Sequence, residues 1–291
     1  MRNKNKYLLL LLIVIGLVFI TTGCKKDDME GINIIVTNYS NEYIVSQLYG
    51  KHATISSIYP DGVNISDYKI NTKQKKDFSQ KELFIYNGLI EKERNLAVDL
   101  LDLNQNLKII DSAYVLETDY SPEELWLNPS SMLMMTQNIR LGLNEYVNSN
   151  YLQEKINNNY NDLKVTLSEL DADYRVAVEN TNNKTIVVAN SALKYLEKFG
   201  LTVLCIDSDA TDKTISDAEK LIKSGIISYI YTFKDDKLND TAKTLLSKYE
   251  DVKKQELHKL DNLSDNDREN NKDYITIMND NLELIKQELY Q

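Results

Sequence analysis

The 291-residue chain holds two histidines, His52 and His258, and two cysteines, Cys24 and Cys205. Imidazole and thiolate ligands therefore have few places to stand. His258 precedes Asp261 by three residues; on a strand that offset points the two side chains to opposite faces, so His258 reads as exposed or satisfied rather than as a partner of Asp261. His52, beside Gly50 and Lys51, reads as a surface turn. Asp207, Asp209 and Asp212 follow a strand-like run and form an acidic loop, read as a solvated turn and helix cap. The chain contains no GxSxG, no P-loop and no GxGxxG, and no histidine is placed to serve a serine or cysteine nucleophile. The chemistry on offer is that of binding, and no enzyme is expected.

The element that must position such a site is the polar run 151–178, crossed by one apolar stripe. Leu152, Ile156, Tyr160, Leu163, Leu167, Leu170, Tyr174 and Val178 follow one another at steps of three or four, the one-face pattern of a helix. Gln153, Glu154, Lys155, Asn157 and Lys164 between them suit a solvated face. No proline or glycine interrupts the run, which at about 1.5 Å per residue spans roughly 40 Å. Strand-like runs lie on both sides of it, so it reads as a rod joining two lobes, the alternative being a long helix within one domain.

Before this rod, strands are expected at 32–36, 53–58, 83–86 and 107–110, alternating with helices at 42–49, 73–79, 95–103 and from Pro129 to about 147. After it the rhythm repeats, with strands at 185–189, 202–206, 226–232 and 254–260. Helices are expected at 192–199, stopped by Gly200, at 216–224, capped by Ser216, at 238–249 and at 274–290. The fold class is α/β: two (β/α)4-type lobes with parallel sheets joined by one long rigid linking helix. Ligands of such sheets bind outside the carboxyl ends of the strands, and between two lobes those ends can face one another across a cleft.

The chain opens with Arg2, Lys4 and Lys6, an apolar run over 7–20, and Thr21-Thr22-Gly23-Cys24. A basic start, a short apolar core and small residues describe a secretory signal, and the run is shorter than the ~20 residues of a membrane span; an uncleaved anchor helix is the alternative. The Gly23-Cys24 junction resembles a bacterial lipobox, with Cys24 lipidated. The expected division is signal peptide 1–23, lipidated tether 24–30, N-terminal lobe 31–147, linking helix 148–180 and C-terminal lobe 181–291. Losing the three leader cations moves the formal charge from −10 to −13, an acidic body that argues against nucleic acid as a partner. With Cys24 committed to lipid, Cys205 is expected to be a buried free thiol.

Four stretches resemble the zinc and manganese solute-binding lipoproteins of ABC importers. Residues 60–68, PDGVNISDY, are similar to that family's PPGxDPHDYE segment; LFIYNGL at 83–89 resembles the strand and turn that follow it. WLNP at 126–129 matches the end of DPHxWLDP, and VVANSALKYLEKFGL at 187–201 matches VTSHAAFxYLxxxYGL. Asp273, Tyr274 and Asn281 fit the closing helix.

The resemblance implies a metal held between the lobes by three histidines and one carboxylate. Carried across by position, the histidines fall on Ser66, Glu124 and Asn190 and the carboxylate on Asp261, so only the last is retained. Zinc prefers imidazole or thiolate; serine, asparagine and two carboxylates suit a loosely held Ca²⁺ or Mn²⁺, or no metal. The expectation is a monomeric, lipid-anchored, extracytoplasmic binding protein serving an ABC permease and its ATPase, its zinc or manganese cargo altered or lost. The alternatives are a module retargeted to another small cationic or polar solute, and a surface or adhesion lipoprotein that keeps only the fold.

Overall fold

The structure, a computed structural model, describes residues 29–181 and 183–291; the expected leader and Cys24 lie outside the described residues. The chain alternates strand and helix as its patterns require. β1 (Ile32–Val36), α1 (Tyr39–Tyr49), β2 (Ala53–Ser57), α2 (Thr72–Ser79), β3 (Leu83–Tyr86), α3 (Glu91–Leu103) and β4 (Lys108–Asp111) build the first sheet and its helices. The short α4 (Glu124–Leu127) and α5 (Pro129–Tyr146) lead to α6 (Asn150–Glu179). Then follow β5 (Thr185–Val188), a 3₁₀ helix (Ser191–Phe199), β6 (Thr202–Cys205), α7 (Asp212–Lys223), β7 (Tyr229–Phe233), α8 (Asp240–Lys248), β8 (Lys253–Leu257), α9 (Asp265–Glu269) and α10 (Tyr274–Leu289).

Both sheets are four-stranded and parallel, in the orders β2-β1-β3-β4 and β6-β5-β7-β8. Parallel pairing places all four carboxyl ends of a sheet on one edge. The strand order reverses between β1 and β3 in the first sheet and between β5 and β7 in the second, so each has a switch point where a crevice opens. Ile34 and Ile85 on one side and Val187 and Ile230 on the other are fully buried, as strands covered on both faces should be.

Helix α6 runs along both lobes. Its stripe of Leu152, Ile156, Tyr160, Leu163, Leu167, Leu170, Tyr174 and Val178 is buried throughout, and Ser149 caps its first turn by accepting from the Leu152 amide. It packs on α1 and α5 in the first lobe and on α10 and the 3₁₀ helix in the second. The Tyr174 hydroxyl donates to the Met278 carbonyl at 2.8 Å and the Asn159 amide to the Leu48 carbonyl at 2.9 Å. One continuous apolar core therefore passes from β1 and α1 through α6 to β5 and α10. Asn157 is not simply solvated: its side-chain oxygen accepts from Arg140 and Asn144, both at 3.0 Å.

The remaining differences lie at element ends. The helix expected to start at Ser216 begins at Asp212 with Thr211 as its cap, because Thr211 accepts from the Thr214 amide. The run expected as helix at 192–199 is a 3₁₀ helix, closed by Gly200 at φ 97°. Strand β8 stops at Leu257, three residues early, since Leu260 adopts φ 61° and turns the chain. Cys205 is a half-buried free thiol that burial pushes up to about 12. Among the described residues no helix is long and apolar enough to cross a membrane.

Candidate functional site

At the first lobe's switch point the chain leaves β1 through Thr37-Asn38 and β3 through Asn87-Gly88. The Glu93 carboxylate from the first turn of α3 fills the gap, accepting from the Thr37 hydroxyl at 2.5 Å and the Asn87 amide at 2.7 Å. It is 2% exposed, and burial raises its pKa to about 7. A Cβ at Gly88 would meet the Asp111 carboxylate at 2.1 Å, so a larger residue would displace the oxygen that the Gly88 amide bonds at 2.8 Å.

Above this floor lies a cavity of about 310 Å³, lined by Tyr59, Ser66, Ile90, Glu123, Trp126, Lys259 and Asp261 among others. A second cavity of about 170 Å³ adjoins it toward the other lobe's switch point and is lined by Asp235, Asp236, His258, Lys259, Asp261 and Asp267. Lys259 and Asp261 border both. They belong to the segment 258–264, which leaves β8 and crosses to the first lobe. The Tyr39 amide donates to the Asp261 carbonyl at 2.8 Å, and the Gly62 amide to the Leu263 carbonyl at 2.7 Å. The Asn262 amide donates to the carbonyls of Pro60 and Val63 at 2.8 and 3.1 Å, and the Ser40 hydroxyl to the Leu260 carbonyl at 3.2 Å. Trp126, 2% exposed, donates its indole N–H to the Lys259 carbonyl at 2.9 Å.

Four family-derived positions meet different fates. Asp261 lies in the cleft, its carboxyl raised above the usual range by burial. Ser66 lines the same cavity from an exposed turn. Glu124, the position carried across for a histidine, does not reach it. Glu124 is 1% exposed and its carboxylate accepts from the amides of Tyr120, Ser121 and Asp119, with Lys198 at 3.7 Å. It fastens the turn before α4. Asn190 caps the 3₁₀ helix through the Ala192 amide and donates to Asp236 at 2.9 Å, one residue removed from the smaller cavity. Among the described residues no group of three or more histidine, cysteine, aspartate or glutamate side chains is gathered as a metal site.

Two residues that sequence reasoning passed over occupy the centre instead. The Lys259 ammonium lies 3.5 Å from Glu123 of the first lobe and 3.8 Å from Asp261. Burial alone would lower its pKa, but Asp261, Glu123 and Asp236 together lift it above the usual value, so the cleft holds a tethered cation. Glu123 is signalled only by standing one residue before the position the motif aligns. Lys259 has no motif at all.

His258, expected to be exposed or satisfied, is the latter. His258 does not stand on a strand, as opposite faces for it and Asp261 would need: it follows β8 and lines the same cavity as Asp261. Its Nδ1 accepts from the Leu260 amide at 2.9 Å, and Nε2 stands 3.4 Å from Asp267. That bond holds the left-handed Leu260 turn which sets Lys259 and Asp261 in place.

A sequence profile of the family described as zinc-uptake complex component A, periplasmic, matches residues 34–288. The zinc-binding protein AdcA of Streptococcus pyogenes serotype M3 is 25% identical over 97% of this chain, and the chain spans 61% of that relative's length. The manganese ABC transporter substrate-binding lipoprotein PsaA of Streptococcus anginosus is 26% identical over 68% of the chain and 69% of its own. Among solved structures, the Zn(II)-bound ZnuA-like domain of Streptococcus pneumoniae AdcA superposes with a TM-score of 0.72 at 23% identity, covering 90% of this chain and 100% of that one. That likeness carries the fold.

Proposed function

Because the chain belongs to the family of zinc-uptake complex component A proteins, whose members are binding proteins of ABC importers rather than enzymes, we propose that it is a lipid-anchored, extracytoplasmic solute-binding component of a zinc- or manganese-type importer. It is held through Cys24, acts as a monomer and delivers to an ABC permease driven by its ATPase. Residues 31–147 and 181–291 form the two lobes, 148–180 the link between them, 1–23 the leader and 24–30 the tether. The observation that carries this reading is the cavity at the first sheet's switch point, lined by Ser66 of the first lobe and by Lys259 and Asp261 arriving from the second.

The cargo is altered. Serine and asparagine are neutral oxygen donors, too weak and too few to hold zinc tightly, Glu124 is spent on backbone amides, and Lys259 places a positive charge beside Asp261. A second cation with a double charge is repelled where the first already sits.

Two measurements test the reading. The chain expressed with its leader should carry lipid on Cys24 and stay with membranes, and Cys24→Ala should release it; membrane retention of a processed Cys24→Ala protein would refute the anchor. In vesicles holding the permease and ATPase of its own importer, the lipidated protein should raise ATP hydrolysis several-fold. No response there would refute the transport role.

A further inference from the structure

The larger cavity does not have the form of an ion site. A bare divalent cation needs donors within about 2.0–2.6 Å on all sides, whereas about 310 Å³ reaches the lower end of the range for small organic ligands. Its walls are largely apolar, with Tyr59, Ile65, Leu89 and Trp126 forming much of the lining. The charges facing it are unbalanced. Glu123 and Asp261 share one ammonium, that of Lys259, at the loose separations of 3.5 and 3.8 Å. Lys92 is committed elsewhere, donating to the carbonyls of Ile65 and Tyr68 at 2.8 and 2.7 Å. With Glu91 and Glu93 also lining the cavity, four carboxylates stand against two ammoniums, those of Lys259 and Lys92, so the balance of charge is negative. Carboxylate acceptors beside aromatic faces are the setting that selects ammonium groups.

We propose that this cavity binds a small organic ammonium ion, its charged head against Asp261 and Glu123 beside Lys259 and its apolar body on Tyr59, Ile65, Leu89 and Trp126. The inference rests on the reading of the interlobe cleft as the cargo site and names the cargo's class. Lys259 then acts as a tethered competitor. Its ammonium occupies part of the same acceptor set, which holds solute affinity down. An anion has no such place, and a divalent metal is opposed by Lys259.

The test uses purified protein beginning after Cys24 and four probes: n-butylammonium, choline, butyrate and Zn²⁺. Melting curves and calorimetric titration of the wild type should show stabilisation by millimolar n-butylammonium or choline and none by butyrate or Zn²⁺. Lys259→Met, which removes the competitor while keeping the stem's bulk, should bind n-butylammonium at least ten-fold tighter. Asp261→Asn should bind it at least ten-fold weaker, since its backbone bond to Tyr39 is kept. If Lys259→Met does not fold, Lys259→Gln takes its place, and the wild-type titrations decide the class on their own. Stabilisation by butyrate equal to that by n-butylammonium, a Zn²⁺ shift in the wild type, or no response to either ammonium probe would each overturn the proposal. The purified protein needs neither anchor nor permease, so failure here leaves the transport reading standing, and failure of transport leaves this site standing.

Discussion

Helix α6 and the segment 258–264 both join the two lobes, and they do so by opposite means. The helix presents nine buried apolar side chains along its length, to α1, α5, α10 and the 3₁₀ helix. Its contribution is spread over many contacts that differ little from one another. The segment buries only a few apolar side chains and works through single polar bonds, each to a named backbone group across the gap. A repetitive apolar interface tolerates solvent and salt and holds a frame; a set of individual polar bonds defines one position and can be broken one at a time. The molecule therefore divides its labour: a permanent joint at the back and a breakable one at the mouth.

The largest effect should come from the permanent joint. Leu163→Asp buries an unpaired charge at a site 5% exposed and should cost about 3 kcal/mol or more in denaturant unfolding. Val165→Asp, at a position 57% exposed on the same helix, should change stability by less than about 0.5 kcal/mol. Similar costs for the two would mean that α6 does not bury the stripe described.

Next come two adjacent glutamates that separate structure from site. Glu124→His leaves backbone donors without their acceptor and should lose about 1–3 kcal/mol. Glu123→His, facing the cavity, should leave the fold within about 1 kcal/mol of the wild type and alter ligand binding. Thermal melts of both, with n-butylammonium titrations, decide it. If the two costs are reversed, the motif alignment was the better guide to which carboxylate faces the cleft.

A smaller loss should follow from cutting a clamp at the mouth. Arg268 of α9 donates to Glu42 at 2.6 and 2.9 Å and to Asp61 at 3.1 Å through two nitrogens, paired with both carboxylates of the first lobe. These hydrogen bonds, Glu42's foremost, hold its pKa above the usual value. Such a forked arrangement is the strong form of ion pair, though solvent reaches it. Arg268→Met should cost about 1 kcal/mol, weaken in high salt, and speed amide exchange at Gly62 while amides of α6 stay protected. Exchange rising equally in both would show that the two joints are one cooperative unit.

The permanent joint was legible because its signal repeats. Eight apolar residues at helical spacing cannot be mistaken for a strand, and the strands at Ile32–Val36 and Leu83–Tyr86 were bounded by their own apolar runs. The mouth was not legible, for a physical reason. Lys259 and Glu123 look like surface residues in sequence, and their meaning comes from tertiary approach across the cleft. The turn at Leu260 has no glycine or proline to announce it; His258 and Ser40 hold it from outside. Aligning a motif fixes a residue's position in the chain but not the direction of its side chain, and three amides draw the Glu124 carboxylate inward.

The finest test of the breakable joint is its response to acid. Burial lowers the pKa of His258 below 6.5, outweighing Asp267 and Asp261, which raise it, and joined by Lys234, which lowers it further. Folding therefore favours the neutral ring, whose Nδ1 accepts from Leu260. Above pH 6.5 both folded and unfolded chains carry it neutral and the bond is complete. As pH falls through 6.5 the unfolded chain takes up a proton that the folded chain resists, so stability is lost down to the depressed folded pKa, at no more than about 1.4 kcal/mol per pH unit. Glu93 runs the other way. Its carboxyl, raised to about 7, contributes stability that is full below about 4.5 and lost as pH rises through 7. The two oppose each other in a raw melting curve between pH 5 and 7, so the measurement is the difference between wild type and His258→Gln across that range. That difference should shrink as pH falls, because only the wild type loses the His258 contribution. If the difference instead stays constant or widens in acid, the folded protein takes up the proton at least as readily as the unfolded chain, and the Leu260 turn is held by something other than Nδ1.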